Sequence, residues 1–127
     1  MSLQSPLNKV LGLGSAKEGS RHWWAQRLTA VGLVPLTLWF GIALLGLEHG
    51  KYEFVSAWIA EPINAILLVL LLFTLLYHSY LGLQVVIEDY VHGASRLITL
   101  IVVQFLHIIL AVVGIYAVIA VSAGAGQ

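Results

Sequence analysis

A histidine, an aspartate and a tyrosine lie in the second half of a long apolar segment. The segment begins near Ile63, holds His78 in its interior and closes with Asp89 and Tyr90. His78 and Asp89 are eleven residues apart, which at about 100° per residue places them within roughly 20° of one helix face, about 16 Å apart along its axis. Because an ionisable side chain at membrane depth costs roughly 3 kcal/mol, it marks a candidate site. Gly82, one turn after His78, would leave room there for a planar ligand or a neighbouring helix.

A histidine at this depth is compatible with three kinds of chemistry. Its ring could form a hydrogen bond to a neighbouring helix. As a neutral imidazole it could donate a lone pair to haem iron as an axial ligand, and as a titrating group it could belong to a proton relay with Asp89. Six-coordinate iron would need a second ligand besides His78, either His107 or a residue of another chain. The residues alone leave these alternatives open.

The composition indicates a membrane protein. Of the 127 residues, 60% are hydrophobic and 9% are charged, and the mean hydropathy is +0.95. In soluble domains about a quarter of the residues are charged. The net charge of zero gives no case for nucleic-acid binding, and the absence of cysteine excludes disulfides, thiolate zinc sites and iron–sulfur ligation within the chain.

Three apolar segments predict an all-α fold, a bundle of three transmembrane helices in a single domain. Each is long enough to cross about 30 Å of hydrocarbon. Pro35 is expected to kink the first helix, and Glu61 and Pro62 to belong to a short pre-helix before the second crossing starts near Ile63. The predicted boundaries are a tail at 1–22, a membrane domain at 23–122 with spans at about 24–47, 57–89 and 97–121, and a tail at 123–127.

The connection between the second and third spans, and the third span itself, carry further signals. Gly93 suits the C-terminal cap of one helix and Ser95 the N-terminal cap of the next. Gln104 and His107 lie one turn apart, a pattern more typical of hydrogen bonds between helices than of metal ligation. Small residues continue the same face as far as Gly114, which predicts close helix packing there.

The basic residues predict the orientation. Three precede the first span and Arg27 lies in its first turn, one lies between the first and second spans, and one lies between the second and third. The rule that basic residues stay inside then places the N-terminus in the cytoplasm and the C-terminus in the periplasm of a bacterial inner membrane. The first residues lack the apolar core of a signal peptide, so we expect the tail to be retained. In chain order the basic residues are Lys9, Lys17, Arg21, Arg27, Lys51 and Arg96.

Polar residues gather at the predicted cytoplasmic boundary. His22 and Arg27 flank a tryptophan pair at the start of the first span, and Asp89 and Tyr90 close the second. Such a cluster can anchor helices at the headgroups. It can also form a small polar site, in which basic groups pair with carboxylates and a tyrosine hydroxyl donates to a quinone carbonyl. Helical phase turns Glu88 away from Asp89, so we expect Glu88 to be the exposed carboxylate.

Two ordered motifs resemble a known family. The pattern H-x-x-x-G-x-x-x-x-x-x-D-Y runs from His78 to Tyr90, and H-W-W-x-Q-R-x-T-A runs from His22 to Ala30. Together they resemble the smaller haem-anchor subunit of succinate dehydrogenase. The resemblance covers nearly the whole chain after about Ser15, including the length, the three spans and the inward N-terminus.

The resemblance implies roles for five residues. His78 matches the axial ligand of haem b, with the second axial histidine on a partner anchor. Arg27 matches an arginine near the haem propionates, and His22 is a looser match in the same place. Tyr90 matches the tyrosine that hydrogen-bonds ubiquinone, with Asp89 beside it in the pocket.

The resemblance also implies a function in the respiratory chain and the tricarboxylic acid cycle. A second three-helix anchor, an iron–sulfur subunit and a flavoprotein are the expected partners. Succinate would be oxidised at a flavin elsewhere, and electrons would pass through iron–sulfur clusters to quinone, so this chain would catalyse nothing alone. The alternatives are a structural or assembly membrane protein, a transporter fragment, a proton-relay subunit without cofactor, and an anchor working in the fumarate reductase direction.

Overall fold

Helices make up all the regular structure in the part of the chain that can be described. The computed structural model describes residues 17–47 and 51–124, so the predicted surface tail lies outside it as far as residue 16. Three helices, of 28 to 31 residues, are long and apolar enough to cross a membrane. The prediction of an all-α fold with three spans is thus confirmed. The helices are α1 (Lys17–Gly46), α2 (Tyr52–Ala60), α3 (Pro62–Tyr90) and α4 (Ala94–Gly124).

The long helices follow from the apolar sequence. In hydrocarbon no water can satisfy backbone N–H and C=O groups, so a crossing segment must pair them internally as a helix. The helix α1 continues across Pro35, as membrane helices tolerate. Thr37, two residues after Pro35, donates its hydroxyl proton to the carbonyl of Leu33 at 2.7 Å. This hydroxyl therefore finds its acceptor on its own helix.

A break at Glu61 separates the short helix α2 from α3. Glu61 is extended, with φ −62° and ψ 123°, because a residue before proline is disfavoured in the helical region. Pro62 then opens α3, where its missing N–H costs nothing. Asn64 donates to the carbonyl of Trp58 at 2.9 Å, and the Trp58 ring stacks on Trp39 of α1 at 5.7 Å between centroids. A short helix therefore precedes the crossing as expected, but Glu61 and Pro62 do not belong to it: Glu61 forms the break and Pro62 opens α3.

The middle helix of the fold is α3, and the bundle is open. It packs against α1 on one side and α4 on the other, while the backbones of α1 and α4 do not approach each other within the described ranges. The buried cluster is small: Leu33 and Leu36 of α1 meet Leu71 of α3. Among the described residues of α4 none is buried. Most large apolar side chains thus face outward, where lipid or another protein would cover them.

The turn between α3 and α4 differs from its predicted capping. The C-cap of α3 is Val91, whose N–H donates to the carbonyl of Ile87 at 2.9 Å. Gly93 lies two residues further on, with φ +70°, in the left-handed region that glycine adopts at little cost. Ser95 lies inside α4 and donates to the carbonyl of His92 at 2.7 Å. Both capping predictions were wrong by one or two residues, because the chain reverses at Gly93 and α4 begins directly after it.

The small residue Gly114 allows α4 to lie close to α3. A Cβ atom at this position would stand 3.3 Å from Cδ1 of Leu72, tighter than ordinary van der Waals contact. The packing predicted at this end of the small-residue face is thus confirmed. In a membrane, van der Waals contact of this kind is a main source of helix association.

We expect Gly114→Leu to lower the free energy of unfolding by about 1–3 kcal/mol, because the added carbons overpack the contact with Leu72. Unfolding of the purified chain in detergent micelles measures the change. The matched control is Gly41→Leu, since a Cβ at Gly41 meets nothing within 4 Å. Equal destabilisation by both substitutions would contradict the close approach at Gly114.

Candidate functional site

His78 lies in the interior of α3 and faces α1. Its ring is half-buried. Nδ1 lies 2.9 Å from Oγ1 of Thr29, and Nε2 lies 3.4 Å from the amide nitrogen of Gln26. The Thr29 hydroxyl is also 2.8 Å from the carbonyl oxygen of Ala25. Both ring nitrogens therefore contact polar groups of a single neighbouring helix.

The α1 side of this contact is a polar stripe in an otherwise apolar helix. His22, Gln26 and Thr29 follow each other at spacings of four and three residues, which puts them on one face. Within the described part of the chain, Nε2 of His22 and Oε1 of Gln26 are buried and have no hydrogen-bond partner. Such orphaned atoms are costly, so the stripe has polar capacity that the chain itself does not use.

Gly82 lies under this stripe. A Cβ atom at Gly82 would stand 3.6 Å from the amide nitrogen of Gln26. The sequence was compatible with either a planar ligand or a helix beside Gly82. In the structure the neighbour is helix α1, and the Gln26 side chain occupies the space next to Gly82. Because Gln26 is long and flexible, this room is closed by a side chain that can rotate away and not by the backbone.

His107 lies on the opposite side of α3. Its Nδ1 donates to the carbonyl of Val103 at 2.8 Å, and its Nε2 is 3.3 Å from Oγ of Ser79. The ring also meets Tyr80 edge-on at 5.9 Å. The hydrogen bond between helices predicted for His107 is thus confirmed. Since His78 turns toward α1 and His107 packs against the α4 side of α3, His78 and His107 do not face each other.

Gln104, predicted to share the role of His107, is exposed. It lines a groove of about 190 Å³ between α3 and α4, together with His107, Phe73, Tyr77 and Tyr80. Phe73 and Tyr77 stack at 6.2 Å along one wall. The walls are mostly apolar, so the groove offers a surface for apolar contact and no arrangement for bond-making chemistry.

The residues predicted at the inner end do not assemble into one site within the chain. Asp89 is exposed, and Tyr90 is 80% exposed. Arg27 points outward, with its guanidinium 4.8 Å from the centroid of the Trp23 ring, whereas His22 is half-buried toward α3. The antiparallel alignment of α1 and α3 puts all of them at the same end, but on different faces.

Glu88 and Asp89 have the reverse of the expected exposure. Glu88 is half-buried: one of its carboxylate oxygens accepts a hydrogen bond from Gln84 at 3.0 Å and lies 3.8 Å from the Arg96 guanidinium. Asp89 is the exposed carboxylate. The prediction considered one covered face of α3. It was wrong because α3 has neighbours on two sides, and Glu88 turns toward the start of α4.

Sequence reasoning misses Thr29 and Gln26 as site residues. The signal that could have found them is their spacing of three, with His22 four residues before, in a segment that becomes apolar. Polar side chains on one face of a membrane helix point to a neighbouring helix or a cavity. Their partner His78 is 49 residues further along the chain, a pairing that only the packing of α1 on α3 establishes.

These features define a small multi-pass membrane protein with a polar site between its helices. Residues 1–123 match the family described as the succinate dehydrogenase/fumarate reductase transmembrane subunit. The chain belongs to this family and is a membrane anchor subunit.

Similar proteins carry the same description. The succinate dehydrogenase hydrophobic membrane anchor subunit of Rickettsia bellii (strain RML369-C) is 41% identical over 105 residues, covering 83% of this chain and 84% of that protein. The subunit of the same name from Paracoccus denitrificans is 33% identical over 92 residues, covering 72% and 71%. The succinate dehydrogenase membrane anchor subunit of Reclinomonas americana is 31% identical over 104 residues, covering 79% and 87%.

The contact between His107 and Ser79 should be measurable as a coupling energy. A double-mutant cycle with His107→Ala and Ser79→Ala is expected to give about 0.6 kcal/mol, and less than about 1.7, as for other polar pairs between membrane helices. Unfolding in micelles supplies the four free energies. Ser56 bonds the carbonyl of Glu53 within α2, so a cycle of His107→Ala with Ser56→Ala should show no coupling. Zero coupling in the first cycle would count against the contact.

Proposed function

We propose that this chain holds haem b through His78 and contributes Tyr90 and Asp89 to a ubiquinone site in a bacterial succinate:quinone oxidoreductase. The observation that carries the proposal is the His78 ring, held at membrane depth beside buried polar atoms of α1 that have no partner in the described chain. An ionisable residue at this depth is by default functional. The names of the similar proteins, all succinate dehydrogenase anchors, favour succinate oxidation over fumarate reduction.

The residues around His78 fit a haem. A neutral imidazole is a common axial ligand, and a bound haem takes up and releases single electrons. The Gln26 amide stands 3.4 Å from Nε2, so ligation requires this flexible side chain to turn aside. Gly82 beside it adds no side-chain bulk. The orphaned atoms of His22 and Gln26 could then bond polar groups of the haem or bridging water.

A second axial ligand would come from another chain. His107 is engaged by Ser79 and Val103 on the far side of α3. The bundle is open, and its apolar outer faces are uncovered. A partner anchor could pack against them and bring the second ligand.

The inner end suits a pocket that partners complete. Tyr90 can donate its hydroxyl proton to a quinone carbonyl, and Asp89 lies next to it; both are exposed in the single chain. Arg27 and His22 at the start of α1 are the candidates for pairing with propionates. The partners would be a second anchor, an iron–sulfur subunit and a flavoprotein. The N-terminus would face the cytoplasm and the C-terminus the periplasm of the inner membrane.

A proton relay through His78 and Asp89 finds less support. The two residues are separated by about 16 Å along α3. The His78 ring contacts Thr29 and Gln26 of α1, and neither of these side chains is a titratable group that could pass a proton on as a relay carboxylate would.

We expect His78→Ala to abolish the reduced-minus-oxidised absorbance band of a b-type haem in the purified complex, because the axial nitrogen is lost. Immunoblotting of the membranes checks that the subunit is still inserted. His107→Ala is the matched control and should keep the band. A full haem band in a stable His78→Ala complex would refute ligation by this residue.

We expect Tyr90→Phe to lower the rate of quinone reduction about tenfold, because the substitution removes one hydrogen bond worth about 1–1.5 kcal/mol. Succinate oxidation with an artificial acceptor should stay unchanged, since that reaction does not use the quinone pocket. Tyr52→Phe is the control, because Tyr52 is similarly exposed at the other end of the bundle. Equal loss of both activities in Tyr90→Phe would indicate damaged assembly and not a quinone contact.

A further inference from the structure

The geometry points to Thr29 as the positioning residue that fixes the proton and the orientation of the His78 ring. This inference rests on the proposed ligation of haem by His78. It concerns a residue of α1 that would not touch iron. Its role would be to hold the proton on Nδ1, so that Nε2 presents a lone pair.

The direction of the hydrogen bonds follows from the carbonyl groups. The Thr29 hydroxyl is 2.8 Å from the carbonyl oxygen of Ala25 and 3.0 Å from that of Gln26. A carbonyl can only accept, so the single hydroxyl proton is donated to the backbone. The oxygen Oγ1 then accepts from the group 2.9 Å away, which is Nδ1–H of His78.

The Gln26 amide requires the same tautomer. Its nitrogen lies 3.4 Å from Nε2 of His78 and, as an amide NH₂, can only donate. Nε2 must therefore be the unprotonated nitrogen. Two contacts from separate side chains thus agree that the ring carries its proton on Nδ1. A histidine that binds metal through one nitrogen commonly donates the other N–H to an oxygen acceptor in this way.

The two partners differ in stiffness. Thr29 is β-branched, so its χ1 is restricted, and its hydroxyl is tied to its own helix. Gln26 has a long side chain and a single long contact to the ring. Thr29 therefore keeps its contact with Nδ1 when a ligand binds, whereas Gln26 moves away from Nε2 and leaves that nitrogen free to bind.

The test compares Thr29→Val and Thr29→Ser in the assembled complex. Valine keeps the shape of the side chain and removes the hydrogen-bond acceptor. The affinity for haem, measured by transfer of haem from the complex to apomyoglobin, should therefore fall about tenfold or more, and the haem absorbance band should shift. Serine keeps the hydroxyl and should restore both. Thr37→Val is the matched control, because Thr37 makes the same backbone hydrogen bonds but is exposed. Wild-type retention and band in Thr29→Val, or failure of serine to restore them, would overturn the inference.

A second measurement needs no variant, so it stands even if Thr29→Val fails to assemble. The ¹⁵N spectrum of histidine-labelled reduced complex reports which ring nitrogen of His78 carries the proton, with assignment by comparison with the His78→Ala complex. Ligation through Nε2 leaves the proton on Nδ1 in any case, so the deciding signal is its hydrogen bond to Thr29. We expect the Nδ1–H proton at a low-field, hydrogen-bonded shift; the shift of an N–H proton without an acceptor would overturn the inference. The His78→Ala spectrum separates the two proposals: a retained haem band there refutes ligation itself, whereas a lost band with unaffected Thr29→Val refutes only the role of Thr29.

Discussion

A polar contact enclosed between two apolar helices sets the arrangement of this protein. In hydrocarbon a ring nitrogen without a partner costs several kcal/mol, so His78 must be matched wherever α3 packs. Thr29 and Gln26 provide that match on α1. Gly82 lies one turn further along the same interface. The residues that align the two helices are therefore also the residues of the candidate haem site, and changing one affects the other.

The middle position of α3 separates two roles. One face meets α1 and carries His78, and the other meets α4 and carries Ser79 and Tyr80, which hold His107. Successive residues on a helix differ by about 100° in direction, so neighbours in sequence reach different helices. Nε2 of His78 faces the movable side chain of Gln26, whereas both ring nitrogens of His107 form hydrogen bonds to α3 and α4. The same residue type at similar depth thus meets a movable side chain in one place and a packing contact between helices in the other.

The single chain leaves most of its large apolar side chains uncovered. Its buried cluster is small, and α4 exposes large apolar side chains along its length. Asp89, Tyr90 and Arg27 are also exposed. In a membrane anchor subunit, lipid or another protein would cover such exposed apolar side chains. The open bundle is the form expected of a subunit whose second face belongs to a partner.

The amino-acid sequence by itself determined the membrane class, the three long helices and the short helix before the second crossing. These depend on local hydrophobicity and spacing, because each crossing segment must satisfy its own backbone. Only the tertiary structure decided which helix each polar residue faces. It paired His78 with Thr29, directed His107 to Ser79 and reversed the exposure of Glu88 and Asp89. Helical periodicity gives the angle between residues on one helix, but the direction of each face is set by its neighbours, here two helices packed on opposite sides of α3.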